Sequence, residues 1–220
     1  MTATIAEQVR NLAEAMAAQP PNDVMGAFAR EQADLAGRDT PEGVIGVGAT
    51  LPDAELLDPH GAATTLYEAL GDHLSVLVFY RGAWCPYCNI ALNTYQAELV
   101  PELARRGVGL VAVSPQAPDG SLSMQEKNDL TFTVLSDPGN QLTKAAGILT
   151  APSTQVRAAQ LQLGLDLTEV NADGTIDIPM PTTIIVDADH VVRWVDVHPD
   201  YSTRSEPEQI LAALDAVTAT

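Results

Sequence analysis

Cysteine is scarce in this chain, basic residues are outnumbered and no long apolar run is present; each shortage removes a class of protein. Against 29 acidic residues stand only 11 lysines and arginines, a formal net charge of −18. Nucleic acids and anionic membrane surfaces are held through clustered Lys and Arg, so neither is an expected partner. No segment approaches the ~20 consecutive apolar residues that cross a bilayer. Met1 to Gln19 carries acids and lacks a basic stretch followed by an apolar one, which argues against a secretory leader and predicts a cytoplasmic, reducing location. His60, His73, His190 and His198 are scattered without ligand spacing, so a zinc site made by this chain is not expected. What is present is 46% hydrophobic residues over a length of 220, enough to bury a full core as one domain with additions.

The only two cysteines, Cys85 and Cys88, lie three apart in Phe79-Tyr80-Arg81-Gly82-Ala83-Trp84-Cys85-Pro86-Tyr87-Cys88. A disulfide stabilises by closing a long loop of the unfolded chain, and this pair closes almost none. A structural staple is therefore a poor explanation. The apolar run Ser75 to Tyr80 reads as a strand covered on both faces, and the pair follows at its end, where a helix begins. Unpaired N–H groups and the positive end of a helix dipole stabilise a thiolate there, the form that attacks. Spacing and position both predict redox chemistry, with the pair resting as a dithiol in a reducing compartment.

Around this motif, strands and helices alternate. Ile5, Val9, Leu12 and Met16 predict a first helix ending at Pro20-Pro21, and Val24, Phe28 and Leu35 a second ending near Gly37. These form an N-terminal helical extension, residues 1–44, whose apolar stripes serve the core or a homodimer interface. Residues 45–220 form the main domain. Asp53 to Leu57 predicts a short strand, and a long helix runs from Pro86 toward Arg105-Arg106-Gly107, kinked or broken at Pro101. Val108 to Val113 is a buried strand, Leu122 to Asn128 a helix and Phe132 to Leu135 a strand. Leu149 to Ile178 interrupts the alternation and reads as an insertion, either a lid over the cysteines or surface decoration. Thr182 to Val186 and Val191 to Val197 flank Asp187-Ala188-Asp189-His190 as a hairpin, and a last helix spans Pro207 to Val217. The alternation implies an α/β sandwich.

On these residues the chain resembles the peroxiredoxin-like branch of the thioredoxin-fold superfamily, the alkyl hydroperoxide reductase/thiol-specific antioxidant group, over roughly residues 45–217. Val47 to Asp53 resembles the family's opening segment, Phe79 to Cys88 its active-site stretch, Val134-Leu135-Ser136-Asp137-Pro138 its mid-domain strand and turn, and Met180-Pro181-Thr182 the thioredoxin-fold proline loop. The resemblance implies a thioredoxin-like fold, a central mixed β-sheet flanked by helices, with the Leu149 to Ile178 insertion before a cis-proline strand and Met180-Pro181 cis. It also implies a thiol peroxidase, with Cys88 at the peroxidatic position, Cys85 where the family has a threonine and Arg81 where it has a proline. Where the family carries an arginine before the late strand this chain is near Pro181, whereas Arg204 resembles a second family arginine close to the site.

Read as a thioredoxin or glutaredoxin motif, Trp84-Cys85-Pro86-Tyr87-Cys88 reverses the roles: Cys85 attacks and Cys88 resolves. The peroxidase reading expects a peroxide substrate, Arg81 and Arg204 as thiolate-stabilising cations, no metal or organic cofactor, and an external reductant, either a thioredoxin-type protein or a low-molecular-weight thiol. The disulfide oxidoreductase reading makes Trp84 and Tyr87 a docking surface for a protein disulfide. A third reading is a non-catalytic, redox-gated interaction module, since the same fold hosts enzymes and inert relatives. Solvent access separates them: an enzyme exposes one sulfur in a cleft, while two buried sulfurs favour the module.

Overall fold

The backbone follows from a handful of largely apolar, buried strands. A computed structural model describes residues 3–18, 20 and 22–219. In chain order its strands are β1 (Glu55–Leu57), β2 (Ala63–Thr65), β3 (Ser75–Phe79), β4 (Gly109–Ser114), β5 (Thr133–Ser136), β6 (Leu149–Thr150), β7 (Ile178–Pro179), β8 (Thr182–Val186) and β9 (Val192–Val197). Seven of them form one sheet in the order β2-β1-β5-β4-β3-β8-β9, and β6 pairs with β7 separately. β3, β4 and β5 run parallel, while the β3–β8, β8–β9, β1–β5 and β1–β2 pairings are antiparallel.

Side chains alternate across a strand, and the alternation divides the core in two. Val76, Val78 and Tyr80 of β3 and its extension join Leu110, Ala112 and Ile185 on one face. Leu77 and Phe79 join Val111, Val113 and Ile184 on the other. The helices are α1 (Ile5–Ala17), α2 (Asp23–Leu35), α3 (Leu66–Leu70), α4 (Pro86–Thr94), α5 (Val100–Arg106), α6 (Pro118–Lys127), α7 (Gln141–Ala145), α8 (Thr154–Gln162), α9 (Leu167–Val170) and α10 (Pro207–Thr218). Leu92 and Leu103 of α4 and α5, Ile210 of α10 and Ile5 of α1 cover the first face, and Leu70 of α3 with Leu142 of α7 the second. The result is the expected mixed sheet between helical layers. The Asp137 carboxylate, in the segment resembling the family's mid-domain turn, caps α7 by accepting from the Gln141 and Leu142 N–H groups at 2.8 and 3.1 Å.

Several local expectations change. Pro101 does not break the long helix: a π turn at Tyr95–Leu99 joins α4 to α5, so the extra residue in the turn accommodates the missing proline donor. α6 begins at Pro118, four residues before Leu122, because a proline is well placed at a first helical position. The Met180-Pro181 peptide is trans, and no described peptide is cis. The chain here is already extended between two pairings: Met180 N–H donates to Ile148 O at 2.8 Å, and Pro181 O accepts from His198 N–H at 2.9 Å. A proline entering a strand where no donor is required fits this path in the trans form. Pro21, half of the pair expected to end α1, lies outside the described residues.

The extension and the insertion pack on each other and on the main domain. Ala27 of α2 meets Val156 and Ala159 of α8, and the Glu31 carboxylate accepts from the Ser153 N–H at 2.7 Å, next to the start of α8. α1 is clasped from the far end of the chain: Glu206 accepts from the N–H groups of Ile5 and Ala6 at 2.9 and 2.8 Å. These are orphan donors at the positive end of a helix, where a carboxylate is stabilising. Glu206→Ala is expected to cost about 1 kcal/mol and to speed amide exchange in α1; unchanged exchange there would show that the clasp does not hold the helix.

Candidate active site

Cys85 and Cys88 stand at the C-terminal end of a central parallel strand, where open α/β sheets place their sites. After β3 the chain turns at Gly82, whose φ of +146° and close neighbour leave no room for a side chain: a Cβ there would lie 2.4 Å from Trp84 Nε1. The Gln116 side chain fixes the turn by accepting from the Ala83 N–H at 2.7 Å. Cys85 is the N-cap of α4 and Pro86 its first residue. The Cys85 carbonyl accepts from the N–H groups of Cys88 and Asn89, both at 3.1 Å. Asn89 Nδ2 donates back to the carbonyls of Ala83 and Cys85, both at 2.8 Å. The loop and the first helical turn are thus one hydrogen-bonded unit.

The two sulfurs sit in different electrostatic settings. Cys88 Sγ accepts from Arg204 Nη2 at 3.1 Å and from the Arg81 backbone N–H at 3.4 Å. Arg204 Nη1 binds the carbonyls of Tyr201 and Thr203; none of these partners is a carboxylate, so its charge is left to the sulfur. Burial pushes the Cys88 thiol up, but the hydrogen bond from Cys85, the Arg204 charge and the Arg81 N–H outweigh it and hold Cys88 well below an ordinary thiol. Cys85 moves the opposite way: burial and its role as donor beside the Cys88 charge keep it protonated well above the usual range. The thiolate belongs on Cys88 and the proton on Cys85.

Of the residues singled out in the sequence, Arg81, Arg204, Trp84 and Tyr87 gather here with the cysteines. Arg81 contributes to Cys88 first through its main chain. Its guanidinium carbon lies 4.1 Å from the Tyr201 ring centroid and 5.1 Å from that of Trp84, a cation held between two aromatic faces. The Tyr87 hydroxyl accepts from Gln32 Nε2 of α2 at 2.6 Å, so this aromatic ties the helical extension to the site. Pro181 stands one step away, bordering with Arg81 a second cavity of about 510 Å³.

Sequence reasoning missed the residues that pose Arg204. His198 Nδ1 pairs with Thr203 Oγ1 at 2.8 Å, Ser205 Oγ donates to Asp196 at 2.8 Å, and the buried Tyr95 hydroxyl donates to the Ser205 carbonyl at 2.7 Å. Gln116 and Gln160 were missed too. Asn89 adjoins the cysteine motif and could have been found by position; the others carry no sequence signal because they converge only on folding.

Neither cysteine reaches the open surface, Cys85 being 1% and Cys88 0% exposed. This is the outcome that favoured the binding module, but burial has a specific cause: α1, α2 and the end of α8 roof a cavity of about 590 Å³, and Cys85 is on its wall. Of the two alternatives for the insertion, the arrangement is the lid rather than decoration: Gln160, Leu163 and Leu165 complete that roof. Arg204→Met is expected to slow alkylation of Cys88 below neutral pH by roughly tenfold, the scale of one charge-assisted hydrogen bond, and to shift the pH–rate profile upward, because a folded thiol held low reacts at pH values where a free thiol is protonated. An unmoved profile would remove Arg204 from the thiolate site.

Residues 47–195 match the model of the AhpC/TSA family. The thiol-disulfide oxidoreductase ResA of Bacillus thuringiensis subsp. konkukian is 26% identical over 116 residues, 52% of this chain and 65% of that protein; this chain therefore spans just under two thirds of that relative's length. Among solved structures, peroxidoxin BcpB of Mycobacterium tuberculosis superposes with a TM-score of 0.59 at 22% identity, covering 79% of this chain and 96% of that one. Reduced Prx3 of Vibrio vulnificus in complex with H2O2 does so with a TM-score of 0.63 at 24% identity, covering 78% and 99%. The strand order, the cysteine-bearing turn at the end of β3 and a family match over most of the main domain agree: this chain belongs to the AhpC/TSA family, on a thioredoxin-type fold.

Proposed function

We propose that the protein is a thiol peroxidase in which Cys88 attacks the peroxide and Cys85 resolves the product. The observation that carries this reading is the asymmetry of the pair: Arg204 Nη2 and the Arg81 N–H converge on Cys88 Sγ at 3.1 and 3.4 Å. A free cysteine, with a pKa of about 8.5, is only a few per cent thiolate at neutral pH; here the thiolate is prepared in advance.

The Cys88 thiolate attacks the terminal peroxide oxygen. The S–O bond forms, the O–O bond breaks, and the alkoxide or hydroxide leaves with the electron pair. Arg204 and the Arg81 N–H are placed to stabilise the negative charge as it shifts. Cys85, which keeps its proton, supplies it to the leaving oxygen. Cys88 is now a sulfenic acid; the Cys85 sulfur, left as a thiolate, attacks it, the S–S bond forms, the S–O bond breaks and the hydroxide leaves with the electron pair to become water with a proton from solvent. An external thiol returns two electrons, and no resident metal or organic cofactor enters the cycle. The reading includes a reducing, cytoplasmic setting, in which the disulfide is transient.

This reading opposes the thioredoxin-like one, in which Cys85 would be the thiolate. Stopped-flow mixing of the reduced protein with hydrogen peroxide and with an organic hydroperoxide, followed by Trp84 and Trp194 fluorescence, separates them. Cys88→Ser is expected to abolish the reaction, while Cys85→Ser completes one turnover and stops as a sulfenic acid. The reverse pattern would assign the attack to Cys85, and slow reaction in every form would remove the peroxidase.

A further inference from the structure

The cavity of about 590 Å³ beside the site has a use of its own. Its walls are mostly apolar, with Met16 of α1, Met25 and Phe28 of α2, and Leu163 and Leu165 just beyond α8. Polar groups interrupt them, among them Gln32, Tyr87 and Tyr201, and three others bear on the chemistry. Cys85, and not Cys88, is the cysteine on the wall; the Arg81 guanidinium borders the same space; and Gln160, 2% exposed, is there with both amide atoms unpartnered among the described residues. A buried amide is ordinarily satisfied, and an apolar pocket with a few convergent polar groups is the usual form of a small-molecule site.

We propose that this cavity docks the reductant, a small organic thiol with an apolar body, and directs its sulfur onto Cys85 of the Cys85–Cys88 disulfide. The proposal rests on the peroxidase reading for the origin of that disulfide. The incoming thiolate attacks Cys85 Sγ; a mixed disulfide forms on Cys85, the Cys85–Cys88 bond breaks, and Cys88 departs with the electron pair. Arg204 Nη2 and the Arg81 N–H receive it in the hydrogen bonds they make to the reduced sulfur. A second molecule of the thiol attacks the carrier's sulfur in the mixed disulfide, releasing the symmetrical carrier disulfide; Cys85 takes up the proton given by that thiol. Two thiols are oxidised and one protein disulfide is reduced.

Two arguments fix the direction and the size of the donor. In thiol–disulfide exchange the sulfur with the lower pKa leaves faster, and the Arg204 guanidinium and the Arg81 N–H, which remain in place while Cys85 is held in the mixed disulfide, make Cys88 the sulfur better able to carry the charge away. Attack on the cavity-facing sulfur is therefore also attack that expels the better leaving group. A thiol carried on a folded protein, by contrast, meets no surface sulfur, since Cys85 is 1% exposed and its roof is tied down by Gln32 on Tyr87 and Glu206 on α1.

The test starts from full-length protein oxidised with diamide, so that it does not depend on peroxide reactivity. Reduction is followed by Trp84 fluorescence with benzyl mercaptan, 2-mercaptoethanol or a thioredoxin-type dithiol protein. Benzyl mercaptan should saturate and reduce the disulfide at least roughly tenfold faster than 2-mercaptoethanol at equal thiolate concentration, the scale of burying a small apolar body. Ala13→Phe and Ala17→Phe, both exposed cavity-lining positions on α1, should bring that ratio toward one. In Cys88→Ser, dibenzyl disulfide should label Cys85. Equal rates for the two small thiols, or fast reduction by the protein dithiol without a benzyl advantage, would overturn the proposal. Failure of the peroxide reaction with the benzyl advantage intact would instead overturn only the peroxidase reading.

Discussion

The contact between the Arg204 guanidinium and the Cys88 sulfur is the constraint around which the site is arranged. Both groups are buried, Arg204 at 8% exposure and Cys88 at none, and a charge away from water is tolerated only when paired and hydrogen-bonded. The guanidinium's other terminal nitrogen, Nη1, donates to the carbonyls of Tyr201 and Thr203. With no carboxylate among these partners, the sulfur is the anion that the arrangement calls for. A neutral thiol at Cys88 would leave a buried cation without its counter-charge, so the fold that buries Arg204 favours the ionised sulfur.

The segment from Tyr201 to Glu206 then serves three ends with adjacent residues. The Tyr201 ring lies under the Arg81 guanidinium, Arg204 holds the sulfur, and Glu206 caps α1. The Asp196, His198, Thr203 and Ser205 bonds, together with the Tyr95 hydroxyl, stiffen the same segment from below. The helical roof and the thiolate are therefore anchored on one short stretch of backbone, and a change that loosens one is felt by the other. Arg204, Glu206, α1 and α2 all lie outside residues 47–195, the part matched by the family model. The cysteine-bearing turn lies inside that span, and segments on either side of it supply its cation and its cover.

The main sheet and the chemical pair were legible because their signals are local. In a five-residue run such as Ser75–Phe79 every residue after the serine is apolar, and Cys-Pro-Tyr-Cys soon after it announces a helix start and a redox pair together. What was illegible depends on long-range packing. α3 is five residues long, too short for periodicity, and is defined by its Thr65 and Glu68 capping box. The trans state of Pro181 goes with pairings of Met180 and Pro181 to Ile148 and His198, just outside β6 and β9 and distant in sequence. The stripe on α2 was readable as an apolar face, but its partner, Val156 and Ala159 of α8, lies more than a hundred residues away in a stretch without obvious pattern. For the same reason the sequence left the roles of the two cysteines open: Arg204 chooses between them, and it is brought to Cys88 only by the fold.

The central claim is that the thiolate resides on the inner cysteine. Its most direct test is an ultraviolet thiolate titration of reduced Cys85→Ser and Cys88→Ser, each retaining one sulfur, with the serine hydroxyl preserving a donor or acceptor in place of the other. The account predicts that Cys88, alone in Cys85→Ser, ionises below a free thiol, and that Cys85, alone in Cys88→Ser, ionises at or above one. A low-titrating Cys85 beside an ordinary Cys88 would contradict it.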